Sequence, residues 1–300
     1  MFLLAVAAAL AWAACAGTRA PRNATPPQFE PAESLLSIVA EFQRHRDADL
    51  YRFPYPRDVS DQNVFKATLV RLANYQTLNP GKFRDLVAFT RAQAYARLGE
   101  YETALRFCQE AQAAGGELGA RAAEIRKTLE AFRNATRLPA TIDSFAGFRR
   151  ALETRSAQCR QLAGQLTREP WRSLAQCEWE RAEVELAEFL WANRQVIPDG
   201  PTRAIEMLDA LRKRHQQSKN FHRHTVRLGD WAAEMAAEYA ALFPPERALF
   251  AWEDFERWTA LAKSGYLEVA QSYGADERAE AAAKLAGVEA MEHRVRSLGQ

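Results

Sequence analysis

The sequence predicts an all-α fold built from antiparallel helical hairpins, and three observations predict it. Helix-forming Ala, Leu, Glu, Arg and Gln dominate the composition, while β-branched residues are sparse and seldom alternate with polar ones. Apolar residues recur at spacings of three and four, the period of a helix face rather than of a strand. Breakers fall between those stretches instead of inside them, at Asn79-Pro80-Gly81, Gly115-Gly116, Pro139, Pro198-Asp199-Gly200-Pro201 and Pro244-Pro245. Apolar residues make up 48% of the chain and charged residues 26%, which suits a folded chain with a sizeable core. The net charge of +2 supplies no global field for nucleic acid, so any charge argument is local. No Gly-rich phosphate loop or nucleophile elbow occurs.

Residues 1–17, MFLLAVAAALAWAACAG, carry no charge, and the apolar run closes in small residues just before Cys15. The step Ala13-Ala14-Cys15 resembles the lipobox of bacterial lipoproteins, which implies cleavage before Cys15 and lipidation of that cysteine. The expected place is then the bacterial cell envelope, anchored to the outer membrane and facing the periplasm. The same residues also fit an ordinary secretory signal cut at Ala14-Cys15-Ala16, giving a soluble periplasmic protein, or an uncleaved anchor. All three readings export the folded part. Residues 18–33 hold prolines at 21, 26, 27 and 31 and no apolar period, the composition of an extended tether.

Residues 34–300 are expected to form one helical, repeat-like domain, with candidate subdivisions near 139–141 or 196–201. Ser34 is placed to cap a first helix whose apolar face is Leu35, Ile38, Val39 and Phe42. Residues 50–61 then interleave Tyr51, Phe53 and Tyr55 with Pro54, Pro56, Arg52 and Arg57. The prolines bar a regular helix, leaving either a contact loop or an aromatic plug against the end of the helices. Ser60 or Asp61 is placed to cap the next helix, which carries Val64, Phe65, Leu69, Leu72 and Tyr75 on one face. Further helices are expected over about 83–98, 101–114, 118–132, 142–166, 171–193, 202–215 and 225–243. A last hairpin carries Tyr266, Ala270 and Tyr273, turns at Gly274 and resumes with Ala279, Ala283 and Ala286.

Residues 92–111, AQAYARLGEYETALRFCQEA, organise the rest. Gly99 suits the left-handed position that ends a helix, and Ala94, Ala104 and Ala111 let two helix backbones approach. Tyr95, Tyr101, Leu105 and Phe107 supply bulk between hairpins. This stretch resembles a tetratricopeptide repeat, which carries Gly-x-Tyr-x-x-Ala at this turn. The resemblance implies hairpins stacked as a solenoid, here an irregular one. Ala104, Ala204 and Ala279 share the local pattern but do not fall at exact multiples of the roughly 34-residue repeat. In such proteins the first helices of successive hairpins line a concave groove for a peptide or partner helix. Carried onto the matching unit, that implies Phe89, Thr90, Gln93 and Arg97 as the partner-facing set. The pattern of basic and Asn residues that grips a C-terminal carboxylate is not reproduced.

Chemistry-bearing residues are few. Cys159 and Cys177 lie symmetrically about position 168, level with each other across a helical hairpin. In an exported protein they are either a disulfide or two separate buried thiols. Cys108 is expected in the core. His222 and His224 diverge on a helix and lack a third ligand, and His45, His215 and His293 show no evident partner, so no metal is called for. Acidic pairs such as Glu183 with Glu185, or Asp254 with Glu256, lie among arginines and are expected on solvated faces. The stretch from Arg212 to Arg227 holds Arg212, Lys213, Arg214, Lys219, Arg223 and Arg227 without an acid, either a patch for an anionic surface or a solvated helix end. The neighbouring Trp231 is expected to be structural. The leading expectation is a lipid-anchored, non-catalytic scaffold that binds a protein or peptide of the envelope, without cofactor. The competing one is a hydrolase or transglycosylase on wall polymer, with one buried carboxylate of raised pKa. A soluble periplasmic carrier is the third.

Overall fold

A computed structural model describes residues 31–52, 63–141 and 144–299. The described residues form an all-helical chain whose consecutive helices pack in pairs, with no strand among them. The helices are α1 (Pro31–Ala48), α2 (Val64–Leu78), α3 (Arg84–Arg97), α4 (Tyr101–Ala113), α5 (Gly116–Thr136) and α6 (Phe145–Gln165). They continue as α7 (Trp171–Ala192), α8 (Gly200–Arg214), α9 (Phe221–Leu242), α10 (Trp252–Gln271) and α11 (Arg278–Leu298). No described helix is long and apolar enough to cross a membrane. Cys15 and the signal-like segment lie outside the described residues.

Helices α2 and α6 each start at a side-chain cap. The Asn63 side chain accepts from the backbone N–H of Phe65 and Lys66 and so starts α2, in place of the expected Ser60 or Asp61, which lie outside the described residues. Ser144 caps α6 through the Gly147 N–H at 3.0 Å. Helix α1 begins at Pro31, earlier than expected, because proline is tolerated in a first turn. The end of the expected tether is therefore helical, and Ser34 lies inside the helix rather than at its cap. Helices α8 and α9 likewise begin ahead of the expected positions 202 and 225.

The chain turns sharply between α3 and α4 at Gly99. Gly99 has φ +77°, and the N–H groups of Gly99 and Glu100 return to the carbonyls of Ala96 and Tyr95. Ala92, Ala104, Cys108 and Ala111 are fully buried where α3 and α4 meet. The last hairpin is built differently. Ala279, Ala283 and Ala286 are exposed, and Tyr273 stands in solvent outside the helices. The buried stripe of α11 is instead Ala281, Val288 and Val295, a seven-residue spacing. That spacing keeps one narrow seam against α9 and α10 and leaves the repeat-like alanines on the outer face.

The apolar core is a chain of neighbouring clusters. One joins α1, α2 and α3 around Leu35, Val39 and Leu72, and another runs from α3 to α7 past residues 139–141. A third joins α7 through α10 past residues 196–201, centred on Trp191 stacked on Trp231 at 4.8 Å. Trp231 is thus a core residue. The final clusters tie α9, α10 and α11 together.

Candidate functional site

Three alternate helices, α1, α3 and α5, meet beside one another and leave a hollow of about 340 Å³ between them. Its apolar floor comes from Val39, Phe42 and Phe89, and its polar rim from Gln43, Arg46, Gln93 and Arg121. The spacing of α3 explains its contribution: Leu86, Phe89, Thr90 and Gln93 sit at intervals of three and four and share one face. The Thr90 hydroxyl donates to the Leu86 carbonyl at 2.8 Å, so its hydrogen is spent within α3. Arg46 donates to the Gln93 side-chain oxygen at 2.6 Å and pairs with Asp47. The Arg121 guanidinium lies over the Phe89 ring, 5.7 Å from its centre, and has no carboxylate partner among the described residues. No carboxylate among the described residues lines the hollow.

Phe89, Thr90 and Gln93 therefore line one hollow together, and Arg97 does not join them. One turn further on, its side chain runs into the interior, 4% exposed. There it donates to the Asp49 carboxylate at 3.2 Å and to the backbone carbonyls of Asp49 and Arg46. These carbonyls end α1, where a cation is favoured. Burial pulls the Arg97 pKa down, and Asp49 opposes that shift. Arg97 is a structural clamp.

Behind the hollow lies a buried polar cluster that the sequence expectations missed. Asp49 also accepts from the Lys219 ammonium at 2.8 Å, and the Lys219 N–H donates to the Tyr51 carbonyl. The Tyr51 hydroxyl lies 2.5 Å from His215 Nδ1, and His215 Nε2 lies 3.1 Å from the Glu183 carboxylate. A second acid, Glu180, accepts from Ser218 and His224, both at 2.6 Å. Burial pushes Glu180 and Glu183 upward, but the histidine partners more than offset it. Glu180 is lowered mainly by His224 and Ser218, Glu183 by His215 and Arg214, and both finish below the ordinary carboxylate value. The Tyr51 hydroxyl is pushed well above its ordinary value by burial and by the charge of Glu180.

Several expectations are corrected here. Glu183 is a buried acid rather than a surface one, and His215 has two partners. Tyr51 is buried at the α8–α9 junction rather than over an end of the helices, while Phe53 and Tyr55 lie outside the described residues. The six bases between Arg212 and Arg227 form no free patch. Arg212 and Lys213 pair with Asp209, Arg214 with Glu183, Lys219 with Asp49, Arg223 with Glu277 and Arg227 with Glu188. Cys159 and Cys177 are free thiols. Cys159 donates to the Ala135 carbonyl on the α5 side, whereas Cys177 lies among Lys219, Glu180 and Asp49, so the hairpin does not bring the sulfurs together. Burial pushes each up to about 12.

One sequence signal could have found the acids. Glu180 and Glu183 are in phase with the buried Ala187 and Trp191, so α7 carries carboxylates on its inward stripe. Compared with protein-family models, with curated proteins and with solved structures, the chain matches none.

Proposed function

We propose that this protein is a non-catalytic scaffold of the cell envelope. Its helices act as an irregular tetratricopeptide-like solenoid, and it holds an extended segment of a partner protein in the hollow between α1, α3 and α5. The observation that carries this reading is the lining of that hollow: an aromatic floor, two side-chain amides and two arginines, without a carboxylate among the described residues. Amides satisfy the backbone groups of an extended chain, the aromatic floor takes an apolar side chain, and Arg is a favoured interface residue. The side-by-side contact of α1 with α3 and of α3 with α5 supports the stacking. Anchoring through lipid on Cys15 rests on Ala13-Ala14-Cys15 alone. The hydrolase reading asks for a buried acid of raised pKa, and the buried Glu180 and Glu183 are held below the ordinary value.

Two experiments test the two halves. Selection from a displayed random-peptide library is expected to enrich extended peptides whose binding weakens at least tenfold with Arg121→Glu or Gln93→Ala. Peptides that bind both variants as tightly as the parent would remove the hollow from the account. Intact mass of protein made with its own residues 1–17 is expected to include a lipid increment, lost with Cys15→Ser. A mass matching cleavage after Ala16 replaces the anchor with a soluble periplasmic form.

A further inference from the structure

A larger hollow, of about 600 Å³, lies between the end of α5 and the first half of α6. We infer that it binds a phosphate ester carrying a compact apolar group. Three arginines, Arg137, Arg150 and Arg155, line it, and no described carboxylate does. Their sequence neighbours differ. Arg133 pairs with Glu102 and Arg149 with Glu153, while Arg137 and Arg150 have no carboxylate partner among the described residues. Arg155 is held in place by Glu185 across the α6–α7 pair. Arg137 and Arg150, without a carboxylate partner among the described residues, repel each other across the concavity, and a dianion relieves that repulsion better than a single carboxylate. The planar fork of arginine matches phosphoryl oxygens two at a time.

The remaining lining fixes the rest of the ligand. Leu138, Pro139 and Ala151 give the hollow an apolar wall, and Thr154 and Gln158 offer neutral hydrogen-bonding groups beside the guanidiniums. An inorganic anion would leave that wall uncovered. A phosphate ester with a short apolar substituent fills both parts, whether it is a soluble metabolite or the head of a lipid. This site shares no residue with the α1–α3–α5 hollow, so the inference stands apart from the scaffold reading.

Calorimetric titration of the whole protein tests it, using phenyl phosphate, dihexanoyl phosphatidate below its micelle concentration, and phenol. The expected result is saturable one-to-one binding of at least one ester, with phenol at least tenfold weaker. Arg137→Ala/Arg150→Ala is expected to weaken binding at least tenfold. Both side chains belong to exposed residues, so circular dichroism should be unchanged. Lys66→Ala/Lys82→Ala, which removes the same charge elsewhere, should stay within twofold of the parent. Tighter binding of the phosphatidate identifies a lipid head group, and equal or tighter binding of phenyl phosphate identifies a soluble ester. Absence of saturable binding by both esters overturns the inference, as does a double arginine variant that binds like the parent.

Discussion

Arg97 and Asp49 show how much one buried pair can hold. The Arg97 and Asp49 side chains are 4% and 7% exposed, and Asp49 is shared with Lys219. Arg97→Ala leaves Asp49 one cation and strips the carbonyls at the end of α1 of their donor, so it is expected to cost about 3 kcal/mol in urea unfolding. Glu180 and Glu183 set a pH dependence of definite sign. Their folded pKa values lie below the ordinary 4.5, so the unfolded chain takes up protons first as pH falls. Their contribution to stability is full above about pH 4.5 and is lost as pH drops through the lower folded values. The urea midpoint should fall over that window, and Glu180→Gln/Glu183→Gln should flatten the fall while lowering the midpoint at pH 7. None of these pairings is visible locally in the sequence, because Asp49 meets Lys219 and Tyr51 meets His215 only after the chain has returned over 160 residues later.

At the scale of the element, local signals carry much more. The α3–α4 corner was legible because Gly99, Tyr101 and Ala104 each satisfy a local demand: a positive φ, a space-filling ring and a close helix contact. The α10–α11 pair was misread because alanine is both a packing residue and a surface helix former, so Ala279 could not be assigned to a face by type. Helices α9 and α10 also approach closely at two glycines. A Cβ on Gly265 would lie 3.1 Å from the Thr225 carbonyl of α9, and one on Gly229 would lie 2.7 Å from the Tyr266 ring. That ring cannot simply swing aside, because its hydroxyl donates to Asp230 at 2.7 Å. Gly265→Ala is therefore expected to cost about 1–2 kcal/mol in thermal unfolding, overpacking outweighing the gain in helix propensity. A stabilised variant would mean that α9 and α10 separate more freely than the structure indicates.

Across the whole molecule, two kinds of connection coexist. Neighbouring helices share apolar clusters, as in a one-dimensional array, yet Asp49 and Tyr51 tie the end of α1 to the α8–α9 junction. Such ties are absent from a stack held only by neighbours and should make its halves unfold together. The parent is expected to give one calorimetric transition, and Asp49→Ala/Tyr51→Phe to give two. The all-helical class was legible from composition and breakers. The hollow could be approached only through the repeat resemblance, which supplied Phe89, Thr90 and Gln93 but also Arg97, whose interior clamp depends on a loop far away in sequence. The central claim is that the α1–α3–α5 hollow grips a partner protein. It is tested most directly by placing a photo-crosslinking residue at Gln93 or, as a control, at the exposed Glu110 of α4, in cells that make the protein with its own residues 1–17. The account predicts discrete protein adducts from position 93 that vanish with Arg121→Glu, and none from position 110. Adducts of the same pattern from both positions, or none from position 93, would contradict it.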